Sequence, residues 1–155
     1  MDERFRILVE GLHSKFESLV GMAAHAGVPP PTNMPVSGIY LFSDGDVPLY
    51  VGRSNRLRKR FFLHTREGSQ HNQASFAFRL VAEGLKLPPA SYTKEGSRKV
   101  VASTDEFIRE FSSAKKRIRA MNYRYVEEAD QTRQALLEIY AAVVLQTPYN
   151  DFGTH

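Results

Sequence analysis

Two short apolar runs facing each other across a turn constrain this chain more than any other feature. Residues 36–42 are rich in β-branched and aromatic side chains, and residues 49–52 resume the same extended character. Between them Ser43-Asp44-Gly45-Asp46 is turn chemistry, with glycine supplying the positive φ that a tight reversal needs. The pattern predicts a β-hairpin, with Pro48, which has no N–H to donate, near a sheet edge or a strand start. The two runs carry mirrored words, Gly38-Ile39-Tyr40 and Tyr50-Val51-Gly52. Glycine weakens a strand interior, so Gly38 and Gly52 mark places where another backbone or a ligand comes close.

Around the hairpin the periodicity is mostly helical. Phe5, Leu8, Leu12, Phe16 and Leu19 fall three and four apart and predict one amphipathic helix over 3–25, ended by the proline-rich GVPPPTNMP. Ser54 or Asn55 is placed to cap a helix running to Thr65, and a further helix is predicted over 74–84. KLPPASYTKEGSRK reads as a basic loop. Ser103-Thr104-Asp105-Glu106 is a capping-box signature with Ser103 as N-cap. The helix behind it carries Phe107, Ile108, Phe111, Ala114 and Ile118, and closes on Lys115, Lys116, Arg117 and Arg119, cations that suit a helix C-terminus. A third strand is predicted over 121–126. Asp130 caps a last helix, 131–146, that Pro148 stops.

At 155 residues with 42 % hydrophobic content, the chain is read as a single domain with a real core. It has no cysteine, which excludes disulfides and thiolate metal sites and points to a reducing, cytoplasmic setting. MDERFRILVE is charged where a signal peptide needs an apolar run, and no stretch is long and apolar enough for a membrane span. A net charge of +4 is a mild bias toward polyanions.

Three groups of residues could carry chemistry. Arg56, Arg60 and His64 are spaced to stack along one helix face, beside the inward-facing Leu57 and Phe61. They read either as a solvated cationic face or as groups presented to a cleft. Glu138 is the one charge in the run ALLEIYAAVVL, so the helix should be buried on most sides. A carboxylate there must be paired with a buried arginine, bound to a metal, or set beside water. Tyr40 and Tyr50 read either as core aromatics with tethered hydroxyls or as site residues.

Taken in order, these residues resemble the GIY-YIG nuclease superfamily. Gly38-Ile39-Tyr40 and Tyr50-Val51-Gly52 match its two motif words. Ser54, Leu57 and Arg60 match the small hydroxyl residue, leucine and arginine that follow, with His64 one turn beyond. Glu138 in a late helix, then Pro148 and Asn150, match the closing signature.

The resemblance implies an α/β (α+β) fold: a small three-stranded antiparallel-type sheet flanked by helices. The parts would be an N-terminal helical extension (1–30), a core (36–65 and 120–150) and a helical insertion (66–119). It also implies a metal-dependent DNA endonuclease. Tyr40 or Tyr50 would relay a proton from the attacking water, with His64 or metal-bound hydroxide drawing that proton off. Arg60 would stabilise the phosphate, Glu138 would hold Mg²⁺ or Mn²⁺, and Asn150 would fix the metal site or nearby backbone. Arg53, Arg56, Lys94, Arg98, Lys99, Lys115 and Lys116 are candidate contacts to DNA. A homodimer or a partner protein would supply specificity, since neither end reads as a separate sequence-reading domain. The rival readings are a nucleic-acid-binding module of the same fold without cleavage, and a structure-specific repair or recombination nuclease instead of a restriction-type enzyme.

Overall fold

The hairpin forms as β2 (Gly38–Asp44) and β3 (Val47–Ser54), antiparallel, with Asp44 facing Val47 across a turn in which Gly45 takes φ 59°. Both strands run closer to the turn than the apolar pattern indicates, because backbone pairing continues past the last apolar residue. Pro48 is accommodated where the register shifts between Phe42 and Ser43, on β3, which is an edge strand. The computed structural model describes residues 1–87 and 98–153.

The chain is an α+β protein built on a four-stranded antiparallel sheet in the order β1-β4-β2-β3. The expected three strands gain a fourth, β1 (His25–Ala26), which pairs with β4 (Asn122–Glu127). Two residues carry no alternation to read, so only the pairing partner defines this strand. The single helix expected over 3–25 is α1 (Glu3–Glu10) and α2 (Leu12–Gly21), joined at Gly11. Asp2 caps α1, accepting from the N–H groups of Arg4 and Phe5. Only α2 buries its part of the apolar stripe: Leu12, Phe16 and Leu19 enter the core, whereas Phe5 stays exposed.

One sheet face packs Ile39, Leu41, Val51 and Val126 against that α2 stripe and against Leu137 and Ala141 of α7 (Gln131–Leu145). Asp130 caps α7 through the N–H of Arg133, and left-handed Gln146 ends it. The expectation that α7 is buried on most sides is corrected: Ile139, Val143 and Val144 are exposed. Its apolar residues exceed what one sheet face can cover.

Met1–Phe61 together with Met121–His155 form one compact unit, and Phe62–Ala120 a second. In the second unit α4 (Ser75–Gly84) packs on α6 (Asp105–Arg119) through rings such as Phe78 and Phe107, 5.4 Å apart. The short α5 (Arg98–Val101) precedes α6. Thr104, not Ser103, is the N-cap of α6: its hydroxyl accepts from Phe107 N–H, while Ser103 Oγ donates to the Val100 carbonyl at 2.6 Å. The capping box therefore does not form. Among the described residues no helix is long and apolar enough to cross a membrane.

Candidate active site

Strand parity builds the site. Tyr40 lies directly across from Gly52 on β3 and from Tyr125 on β4. Phe42 lies across from Tyr50 and Tyr123. Alternation puts all these rings on the sheet face opposite the α2/α7 core. Tyr40 sits 5.8 Å from Phe42, 6.3 Å from Tyr50 and 6.0 Å from Tyr123, centroid to centroid. The helix α3 (Leu57–Thr65) lays Phe61 over this face, 6.1 Å from Phe42 and 4.8 Å from Tyr123.

The mirrored glycines now have physical roles. A Cβ on Gly52 would overlap the Tyr40 hydroxyl and its Cζ, so this glycine is the slot in which the Tyr40 ring lies. A Cβ on Gly38 would overlap the Val126 carbonyl, so Gly38 permits the close approach of β4.

Arg60 Nε reaches the Tyr40 hydroxyl at 3.4 Å, a long and weak hydrogen bond. Burial opposes the charge of Arg60, but interaction with Tyr40 and Tyr50 outweighs it and raises its pKa. Burial pushes the Tyr40 hydroxyl well above the ordinary tyrosine range; Tyr50 adds to this and Arg60 opposes it. Tyr40 is therefore a protonated phenol at neutral pH. Burial, then Tyr125, also raises Tyr123, whose hydroxyl is fully buried and finds no hydrogen-bond partner among the described residues.

Glu138 comes to the other side of β3. Arg53 shares the parity of Val51, and its Nε donates to Glu138 Oε2 at 3.1 Å. Asn150 clamps the same strand: its Oδ1 accepts from Val51 N–H at 2.8 Å and its Nδ2 donates to the Val51 carbonyl at 2.7 Å. Of the two roles foreseen for Asn150, the structure displays the fixing of backbone. Asn55, just before α3, exchanges hydrogen bonds with Gln131 and accepts from Gln134, both on α7. Thus the loop leading to Arg60 is tied to the helix that carries Glu138, with edge strand β3 between them.

His64 lies one turn past Arg60 on α3, is fully buried, and belongs to the second unit. Arg56 is exposed, and its N–H donates to Ser54 Oγ at 2.9 Å. Lys99 and Lys116 are exposed. Arg98 opens α5 where a loop was expected, and Lys94 lies outside the described residues. Lys115, a candidate contact to DNA, is turned inward instead. It is buried, with Nζ donating to the carbonyls of Glu67 and, at 2.9 Å, Ser69, and lying 4.5 Å from the Phe111 ring centroid. Lysine's long stem lets its ammonium satisfy loop carbonyls from a buried helix face. Its pKa is lowered by that burial.

Two features escaped the sequence reading. Pairing of Glu138 with an arginine was one of the readings, but the identity of that arginine was not: Arg53 lies 85 positions away and is partly exposed, and only strand parity could have hinted at it. Tyr123 and Tyr125 alternate as Tyr40 and Phe42 do, a signal that became legible once β4 was paired with β2.

Glu138 is a lone carboxylate on α7, paired with Arg53. The Glu138 side chain is 19 % exposed, and among the described residues no group of three or more His, Asp or Glu side chains forms an all-protein cage. Comparison with family models, curated proteins and solved structures finds no match to this chain.

Proposed function

We propose that this protein is a metal-dependent DNA endonuclease of the GIY-YIG type, hydrolysing phosphodiester bonds at edge strand β3. The observation that carries the reading is the Tyr40–Arg60 contact beside Tyr50, because it gathers a phosphate-binding fork and two phenols around a glycine slot. Phosphodiester hydrolysis requires a proton taken from water, charge neutralised at phosphorus, and relief of charge on the leaving oxygen. The planar guanidinium of Arg60 suits the phosphate oxygens, and its raised pKa keeps it charged. Tyr40, 1 % exposed and against Arg60, orients that fork. Tyr50 keeps 7 % exposure, and we assign it the contact with the attacking water. Asn150 holds β3 at Val51, next to Tyr50. Glu138 would hold Mg²⁺ or Mn²⁺, which when bound supplies charge stabilisation to the leaving oxygen.

A second reading, DNA binding without cleavage, is favoured by the ion pair that already neutralises Glu138. Cleavage by the wild type in Mg²⁺ separates the two, and Arg60→Ala then tests the site. Under the nuclease reading, single-turnover cleavage of bound DNA falls on the order of a hundredfold, and Arg58→Ala loses much less. Equal losses in both variants would reduce the stretch to a general phosphate magnet.

A further inference from the structure

We propose that Arg53 is the resident counter-ion of Glu138, exchanging its carboxylate partner for a DNA phosphate when the divalent cation arrives. The proposal rests on the nuclease reading of Glu138 and assigns a regulatory step to the same site.

The Arg53 side chain is 44 % exposed and Glu138 is 19 % exposed, so this is a rim pair and not a locked core bridge. Arg53 engages the carboxylate through Nε alone, at 3.1 Å. Its two Nη groups make no hydrogen bond to any described residue. A guanidinium held by one edge keeps its other donors for a second anion, and a phosphate takes such donors in pairs. Arg53 also stands on an edge strand, with no further strand of the sheet beyond it among the described residues. Divalent cation and guanidinium compete for one carboxylate, because two positive groups on the same oxygens repel at short range. An arginine at this position therefore weakens metal binding in the free protein and strengthens phosphate binding once displaced. The chain then holds its metal a few-fold more tightly when DNA is present to receive the arginine.

Half-exposed pairs contribute about 0.2–1 kcal/mol, which converts to about 1.5- to 5-fold in metal affinity at 1.36 kcal/mol per decade. The test is calorimetric titration of Mn²⁺ into the full chain without DNA, for wild type, Arg53→Gln, Arg53→Lys and Glu138→Gln. Circular dichroism checks that each variant is folded. The exchange predicts that Arg53→Gln binds Mn²⁺ about 1.5- to 5-fold more tightly, that Arg53→Lys resembles wild type, and that Glu138→Gln loses the site. It also predicts that Arg53→Gln lowers the salt slope of DNA binding by about one unit in Ca²⁺ but not in EDTA, since only the displaced arginine contacts phosphate. Unchanged or weaker Mn²⁺ binding in Arg53→Gln, with the site lost in Glu138→Gln, overturns the exchange and leaves the nuclease reading standing. Full Mn²⁺ binding by Glu138→Gln overturns the metal assignment and the exchange together.

Discussion

Replacing Gly52 by alanine adds one methyl group at the centre of the site. The new Cβ would overlap the Tyr40 hydroxyl and Cζ, so the ring must move. It cannot move cheaply: Tyr40 is 1 % exposed and boxed by Phe42, Tyr50 and Tyr123. Overpacking of this kind costs about 1–3 kcal/mol. For a chain of this size each kcal/mol is worth about 2–4 °C, so the melting temperature should fall by about 2–12 °C. Gly21 is the control. It ends α2 with nothing within 4 Å of an added Cβ, and Gly21→Ala should be neutral or stabilising by up to about 1 kcal/mol. The chain has no tryptophan and seven tyrosines, so urea unfolding can be followed by tyrosine fluorescence together with circular dichroism. Shifting Tyr40 also breaks its 3.4 Å contact with Arg60, so cleavage should fall further than stability alone would dictate. A Gly52→Ala protein as stable as the Gly21→Ala control would refute the slot argument, and with it the account of how Tyr40 is placed.

The unmatched Tyr123 hydroxyl makes the opposite prediction. Tyr123→Phe removes a buried group without a partner, so stability should rise by about 1 kcal/mol; a loss of that size in a urea melt would mean that the hydroxyl is bonded. At high pH, burial raises Tyr40, Tyr123 and Tyr125 above their unfolded values, so the protons they retain stabilise the fold below about pH 10 and that contribution is lost above it. Lys115, with its pKa lowered, works the other way but is one group against three. A melting temperature that stays flat or climbs between pH 10 and 12 would contradict the burial of these rings.

The hairpin was legible because two β-branched and aromatic runs flank turn chemistry and because Gly45 can adopt the positive φ of its turn. Gly38 and Gly52 were legible as anomalies, since glycine in a strand needs a reason; the reason, a neighbouring backbone and a tyrosine ring, required the register. Strand β1 was not legible, because two residues between a helix and a proline-rich segment carry no pattern of their own. The α1–α2 break was masked by an apolar stripe that runs unbroken through Gly11. Lys115 looked like its neighbours Lys116 and Arg117 because local sequence does not say which cation of a run faces inward. Glu138 stood out from its apolar surroundings, yet its partner Arg53 lay on a distant strand, where side-chain direction depends on parity and not on composition.

Cleavage of supercoiled plasmid in Mg²⁺ by wild type and by Glu138→Gln, with DNA binding measured in parallel, tests the central claim most directly. The account predicts that wild type nicks or linearises the plasmid in Mg²⁺ and not in EDTA. Glu138→Gln should bind DNA at least as tightly but cleave at most on the order of a hundredth as fast. Wild-type protein that binds DNA and leaves it intact in both Mg²⁺ and Mn²⁺, or Glu138→Gln that cleaves at the wild-type rate, would contradict it.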